Sequence, residues 1–178
     1  MKILMLSAEI TPFAKTGGLA DVAGALPKAL RALGHDVRVA MPRYGRIDPA
    51  QFNLQKALDP FPVPLDNTTE DATILEGKLD LNDASSRGGD SGRSGSRMSR
   101  DDMSVPAYFI ENKKFFDREG IYMYPDDAER FIFFSRAALE MLKRLNWQPD
   151  IIHCHDWHTA LVPNWLRTIY ASDPFFAN

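Results

Sequence analysis

Lys15, Gly17 and Gly18, in the stretch KTGGLADV, bring a cation and two bare backbone residues to the entry of an amphipathic segment. A helix amino terminus has unpaired N–H groups and a partial positive charge, so it favours an anion. Glycine lets a phosphate approach the backbone, and a nearby lysine adds a point charge. The chemistry on offer is the holding of a phosphate or a sugar phosphate. The alternative is a tight strand-to-helix turn with a solvated lysine, since such turns use glycine for geometry as well. The stretch matches neither G-x-x-x-x-G-K-[ST] nor G-x-G-x-x-G. Asp21, one turn further on, either hydrogen-bonds a sugar hydroxyl or complements the helix dipole, and taken alone the dipole suffices.

A second cluster, HCHDWH at residues 153–158, holds three histidines and an aspartate. Imidazole and carboxylate suit zinc or iron, which makes a metal-dependent hydrolase one reading. The spacing departs from H-x-H-x-D-H, because Asp156 follows His155 directly. On a strand, His153 and His155 share one face while Cys154 and Asp156 take the other. The competing reading is the carboxyl end of a parallel strand, where open α/β sheets place their ligand crevice. There Asp156 caps the next helix, Trp157 packs beneath it, and His158 reaches a ligand. His153 and His155 are then satisfied, partly buried imidazoles. Tyr122 and Tyr124 offer aromatic faces to a sugar, whereas Phe131 to Phe134 have the helical spacing of core.

These groups need strands and helices to position them. Residues 2–8 form a continuous apolar run, as in a strand buried on both faces. A helix follows from about Gly18, with Leu19, Val22, Ala23, Leu26, Leu30 and Leu33 at helical spacing and Gly34 as its stop. Pro27 should kink or split it. HDVRVAMP is a second strand, ended by Pro42, which completes a βαβ unit. DATILEGKLDL and VPAYFIEN read as strands, DDAERFIFFSRAALEMLKRLN as a helix with Asp126 as N-cap, QPDIIHCHDWH as a short strand, and TALVPNWLRTIY as a helix with Pro163 near its start. Residues 83–102 are rich in Ser, Gly, Arg and Asp with almost nothing to bury, which predicts a flexible surface loop.

Bulk properties bound the function. The 178 residues suffice for one domain with a sizeable core, and 44% hydrophobic with 25% charged content is ordinary for a globular protein. A formal net charge of −3 leaves no basic footprint for nucleic acid. No long apolar run predicts a membrane span, and Glu9 interrupts the apolar start. The single cysteine, Cys154, excludes an internal disulfide framework and fits a reducing cytoplasm.

The stretch MKILMLSAEITPFAKTGGLADVAGALPKALRALGHDVRVAMPRYG resembles the amino terminus of bacterial glycogen synthases and plant starch synthases of the ADP-glucose type, glycosyltransferase family 5. GIYMYPDDAERFIFFSRAALEML and DIIHCHDWHTALVPNWLR resemble the same family in the expected order. The resemblance implies an α/β, Rossmann-like parallel sheet with flanking helices, the incomplete amino-terminal domain of a GT-B glycosyltransferase. Residues 1–178 would be that starch-synthase-type domain, cut short, with the 83–102 loop inside it as an insertion and the carboxy-terminal nucleotide-binding domain absent. It further implies retaining transfer of glucose from ADP-glucose to the non-reducing end of an α-1,4-glucan such as glycogen or a maltooligosaccharide. ADP-glucose is then a substrate, and no cofactor, metal, nucleic acid or membrane is expected. By position, Lys15 resembles the family's ADP-glucose-binding lysine, Gly17 and Gly18 the backbone lying against the donor, Asp21 the carboxylate at the site's mouth, and His158 the residue contacting the transferred glucose. The essential Arg, Lys and Glu would lie in the absent domain, so the fragment alone is expected to be inactive. A glucan-binding, non-catalytic fragment and a GT-B transferase using another nucleotide sugar are the neighbouring alternatives. A sheet cut short is also expected to leave an unpaired edge and an uncovered face.

Overall fold

The computed structural model describes residues 1–80 and 104–177. The expected 83–102 loop lies outside them. Six strands form one sheet in the order β3-β4-β5-β2-β1-β6. Strand β1 (Lys2–Leu6) sits between β2 (Asp36–Pro42) and β6 (Ile151–Cys154), parallel to both, so that Leu4 faces Arg38 on one side and Ile152 on the other. Ile3 to Leu6 are all buried, which is why the run lacks polar alternation. Strand β5 (Ser104–Glu111) pairs parallel with β2. These four strands are the expected Rossmann-like part. The hairpin of β3 (Gln55–Leu65) and β4 (Thr68–Asp80) extends it in antiparallel fashion beyond β5.

Sequence reading did not identify β3, and the reason is its prolines. Pro60, Pro62 and Pro64 alternate with buried Phe61 and Val63. In an antiparallel strand, alternate residues point their N–H groups to the same side. Phe61 and Val63 share with Leu65 the side facing β4, and Leu65–Thr68 closes the two-residue turn at Asp66–Asn67. The donors that proline lacks therefore fall on the outer edge, where none is needed. Proline is confined to such edges in sheets.

Helix α1 (Gly18–Ala32) runs on through Pro27 instead of splitting there. Its buried stripe is Ala20, Ala23, Gly24 and Pro27, not the leucine-rich face that spacing alone suggested. Val22 is 53% and Leu33 74% exposed, while Leu26 and Leu30 pack against the edge of the core. Small residues let the helix lie close to the loop after β1. A Cβ on Gly24 would stand 2.7 Å from the carbonyl oxygen of Thr11, and Thr11 N–H donates to the carbonyl of Ala20 at 3.1 Å.

On the other side, α3 (Asp127–Arg144) buries Phe131, Phe134, Ala138 and Leu142 as its spacing predicts. Asp126 holds the N-cap position without capping through its side chain. Its carboxylate instead takes both Nη atoms of Arg118, each at 2.6 Å, a charged partner that outcompetes the backbone amide. Arg130 is wholly buried. It donates to the carbonyls of Phe115 (2.7 Å) and Ile121 (3.0 Å) and to the Asp127 carboxylate (2.5 Å), so α3 grips the segment that follows α2 (Lys113–Phe116). Helix α4 (Leu161–Arg167) contains Pro163 in its first turn, as expected.

Gly24→Ala is expected to destabilise the fold. The gain in helix propensity is about 1 kcal/mol, but the carbonyl it meets is backbone and cannot rotate away, and overpacking costs about 1–3 kcal/mol. A urea midpoint at or above that of the parent would refute the close packing. Arg130→Met should cost about 3–5 kcal/mol, because Asp127 and two carbonyls lose their donor together. Unfolding of the variant at the parent's temperature would show the guanidinium to be dispensable.

Candidate functional site

The chain leaves β1 through the loop 7–17 and returns by α1 to β2 on one side, whereas β6 lies on the other. The carboxyl ends of β1 and β6 thus flank a topological switch point, the place where open α/β sheets accept ligands. Lys15, Gly17, Gly18 and Asp21 lie on the loop after β1 and the first turn of α1, and His158 lies in the 3-10 turn Trp157–Thr159 after β6.

The loop is organised by a residue that sequence reading treated only as a break in an apolar run. Glu9 is 3% exposed. Its carboxylate accepts from the backbone N–H groups of Thr16 and Gly17 (3.2 Å for the latter), from Thr16 Oγ1 at 2.8 Å and from the Tyr122 hydroxyl at 2.7 Å. Burial pushes its pKa up, but the hydrogen bonds from Tyr122, Thr16 and Gly17 outweigh this and hold the carboxyl below its ordinary value. The Gly17 amide, expected to face an outside anion, is therefore occupied from inside, together with that of Thr16 before it. The available signal was a lone acid placed directly after a buried strand, where a charge must find partners.

Gly17 and Gly18 are exposed, and a Cβ on either would meet nothing within 4 Å. Gly17 has φ −147°, extended backbone open to any residue. Neither glycine is required by packing within this chain. Lys15 Nζ lies 2.6 and 2.8 Å from the two Asp21 carboxylate oxygens, with 51% and 56% of the side chains exposed. The Lys15 ammonium holds the Asp21 carboxyl below its ordinary value. Asp21 thus has a specific partner besides the helix dipole. The pair is open to water, which screens it, so a ligand can exchange for either member.

His158 is 4% exposed. Its ring stacks on Tyr122 (centroids 4.8 Å apart, planes 25°), lies 4.2 Å from Trp157 and meets the edge of Phe131 at 4.5 Å. Nδ1 is buried without a hydrogen-bond partner. Desolvation depresses its pKa despite the opposing charges of Asp156, Glu9 and Asp127, so the imidazole is neutral at neutral pH. Trp157 does not pack wholly beneath the turn, and 52% of it stays exposed. Asp156 caps as expected, accepting from Trp157 N–H at 2.6 Å, but from φ 62°, ψ −179°. An L-residue rarely adopts that backbone, at a cost of about 1–3 kcal/mol.

The other histidines do not join this site. His153 is exposed, and its ring stacks on half-buried His155 at 4.4 Å. His155 is partly buried as expected but its Nε2 is buried and unpartnered, and His153 is exposed, so the expectation of satisfied, partly buried imidazoles is corrected in those two respects. Strand alternation does separate them from Cys154, whose thiol burial pushes up to about 11. Among the described residues no three His, Cys, Asp or Glu side chains come together to hold a metal. His153 and His155 stack on each other, Asp156 caps the 3-10 turn and His158 is enclosed by aromatic rings, so the cluster does not assemble the donor set a metal-dependent hydrolase needs. Tyr122 belongs to the site, with its hydroxyl committed to Glu9. Tyr124 is a structural residue, its hydroxyl accepting from Gly120 N–H at 3.0 Å and its ring 4.8 Å from the guanidinium carbons of Arg118 and Arg130.

Comparison with known proteins bears directly on this arrangement. Residues 2–178 match the family model described as the starch synthase catalytic domain. The chain is 47% identical over 176 residues to a glycogen synthase of Moorella thermoacetica, covering 99% of this chain and 31% of that protein. It is 44% identical over 183 residues to a glycogen synthase of Desulforudis audaxviator, covering 99% and 33%. The solved catalytic domain of starch synthase IV from Arabidopsis thaliana, bound to ADP and acarbose, superposes with a TM-score of 0.76 at 33% identity, over 95% of this chain and 30% of that one. The chain spans about a third of the length of the curated relatives it matches. With the loop after β1, the 3-10 turn after β6 and the sheet between them all inside the matched region, this chain belongs to the starch synthase catalytic domain family.

Proposed function

We propose that this chain is the amino-terminal part of an ADP-glucose-dependent α-1,4-glucan glucosyltransferase, a glycogen synthase. The observation that carries the reading is the pairing, at one switch point, of an exchangeable cation on an open glycine backbone with a neutral imidazole. Lys15 swaps Asp21 for the donor's diphosphate, a change that costs little because the pair is solvated. The Gly17–Gly18 backbone, unobstructed by side chains, lies against the donor. Asp21, once released, accepts a hydroxyl at the mouth. His158, uncharged, hydrogen-bonds the transferred glucose. The likeness to proteins named glycogen synthase, and to a starch synthase bound to ADP and acarbose, supports the choice of nucleotide sugar and glucan as the two substrates.

Stabilising a departing diphosphate takes fixed cations aimed at the developing charge. In this reading those groups belong to a nucleotide-binding domain outside residues 1–178, and ADP-glucose is a substrate that calls for no further cofactor. In this reading the enzyme acts on glucan in the cytoplasm; among the described residues no helix is long and apolar enough to cross a membrane.

In an enzyme that joins this chain to its nucleotide-binding domain, Lys15→Ala should lower kcat/KM for ADP-glucose by about tenfold or more, the loss of one charge-assisted contact. An unchanged kcat/KM would remove Lys15 from the donor site. ADP-glucose should outperform UDP-glucose in the same assay, and the reverse preference would identify a transferase of different donor class. Because burial depresses the His158 pKa, the acid fall in kcat/KM, as the ring is protonated, should lie below the pH at which an ordinary imidazole titrates. His158→Asn should be less active and lack that acid step. An acid step that persists in the variant belongs to another group.

A further inference from the structure

Two segments, the nearby Thr16–Gly17 and Tyr122 113 positions away, meet on the one carboxylate of Glu9. Glu9 Oε2 takes the N–H groups of Thr16 and Gly17, and Oε1 takes Thr16 Oγ1 at 2.8 Å and the Tyr122 hydroxyl at 2.7 Å. Tyr122 in turn lies 4.8 Å from the His158 ring in a stacked arrangement. An anion seated on N–H groups just ahead of a helix is how helix starts hold phosphates and carboxylates. Here the anion is part of the chain and is buried. The glycines do not explain the loop's shape, since Gly17 is extended and neither glycine has a Cβ-sized constraint around it.

We infer that Glu9 is a positioning residue, a resident anion that fixes the 15–18 loop and, through Tyr122, the ring on which His158 is stacked. Its effect on turnover rests on the donor-site reading above, whereas its hold on the loop does not. The Thr16 and Gly17 N–H groups are closed to any outside phosphate, so at this loop a ligand takes its hydrogen bonds from Lys15 and from Gly18 onward, while Gly17 offers only the open space its missing side chain leaves. The glycine-rich loop is thus set from behind by a carboxylate rather than moulded by its ligand.

The test is chemical rescue in the 178-residue chain. Glu9→Ala opens a carboxylate-sized space lined by Thr16 N–H, Gly17 N–H and the Tyr122 hydroxyl, and formate fits it. Formate should raise the thermal midpoint of Glu9→Ala and restore the Thr16 and Gly17 amide signals in a nitrogen–proton spectrum, whereas chloride at equal ionic strength should not. The parent chain should respond to neither. Glu9→Gln keeps the volume and the fold but loses the charge, so those two amide signals should move upfield. In the complete enzyme, Glu9→Gln should lower kcat/KM for the nucleotide sugar by about tenfold with the KM for glucan unchanged. Formate no better than chloride on a folded Glu9→Ala, or Thr16 and Gly17 signals unmoved in Glu9→Gln, would overturn the proposal. If Glu9→Ala does not fold, the Glu9→Gln signals decide. A chain that proved to have no part in glucosyl transfer would leave the rescue and the amide shifts standing, which separates this inference from the functional one.

Discussion

A charge buried in the loop just after β1 is the constraint around which this domain is arranged. An unpaired carboxylate in a protein interior is costly enough that it would ordinarily take up a proton. Glu9 remains a stable anion because the chain bends two amides, a threonine hydroxyl and a tyrosine hydroxyl onto it. Meeting that demand draws the loop before α1 and the segment before α3 to the same point above β1. The crevice follows from the electrostatics of one residue as much as from the twist of the sheet.

Arg130 does the corresponding work on the opposite side. Its guanidinium is buried against Phe116, Tyr124 and Phe131 and is tied to two carbonyls and Asp127. These bonds give the irregular segment 117–126 a fixed course although it carries little regular secondary structure. Tyr122 projects from that segment, so the aromatic stack around His158 inherits its geometry from an ion pair one helical turn into α3. Buried Tyr44 adds a further tie to the loop after β1, its hydroxyl donating to the carbonyl of Ala8 at 2.9 Å.

Much of this was legible in the residues. The apolar run of β1, the glycine before α1, the phenylalanine spacing of α3 and the strand ahead of His158 all follow periodicities that burial enforces locally. What escaped reading depended on partners distant in sequence. Glu9 looks like a punctuation mark until Tyr122, 113 positions away, is known to reach it. The face of α1 was misread because alanine, glycine and proline buried it more closely than leucine could, a matter of helix-to-loop distance that hydropathy does not encode. Asp126 has the identity of a cap but found a guanidinium, and Asp156 caps from a backbone angle that no propensity would assign to it. Prolines hid β3 because the side of a strand that needs donors is fixed by its neighbour and not by its own sequence.

Those same prolines give the sheet a direction. With Pro60, Pro62 and Pro64 removing the outward donors of β3, the second half of that margin cannot template another strand, in this molecule or from a neighbour. The opposite margin, β6, has no such block and carries exposed Ile151 and His153. Among the described residues, β6 is the margin that keeps all of its backbone donors, and it lies on the side where the 3-10 turn holds His158.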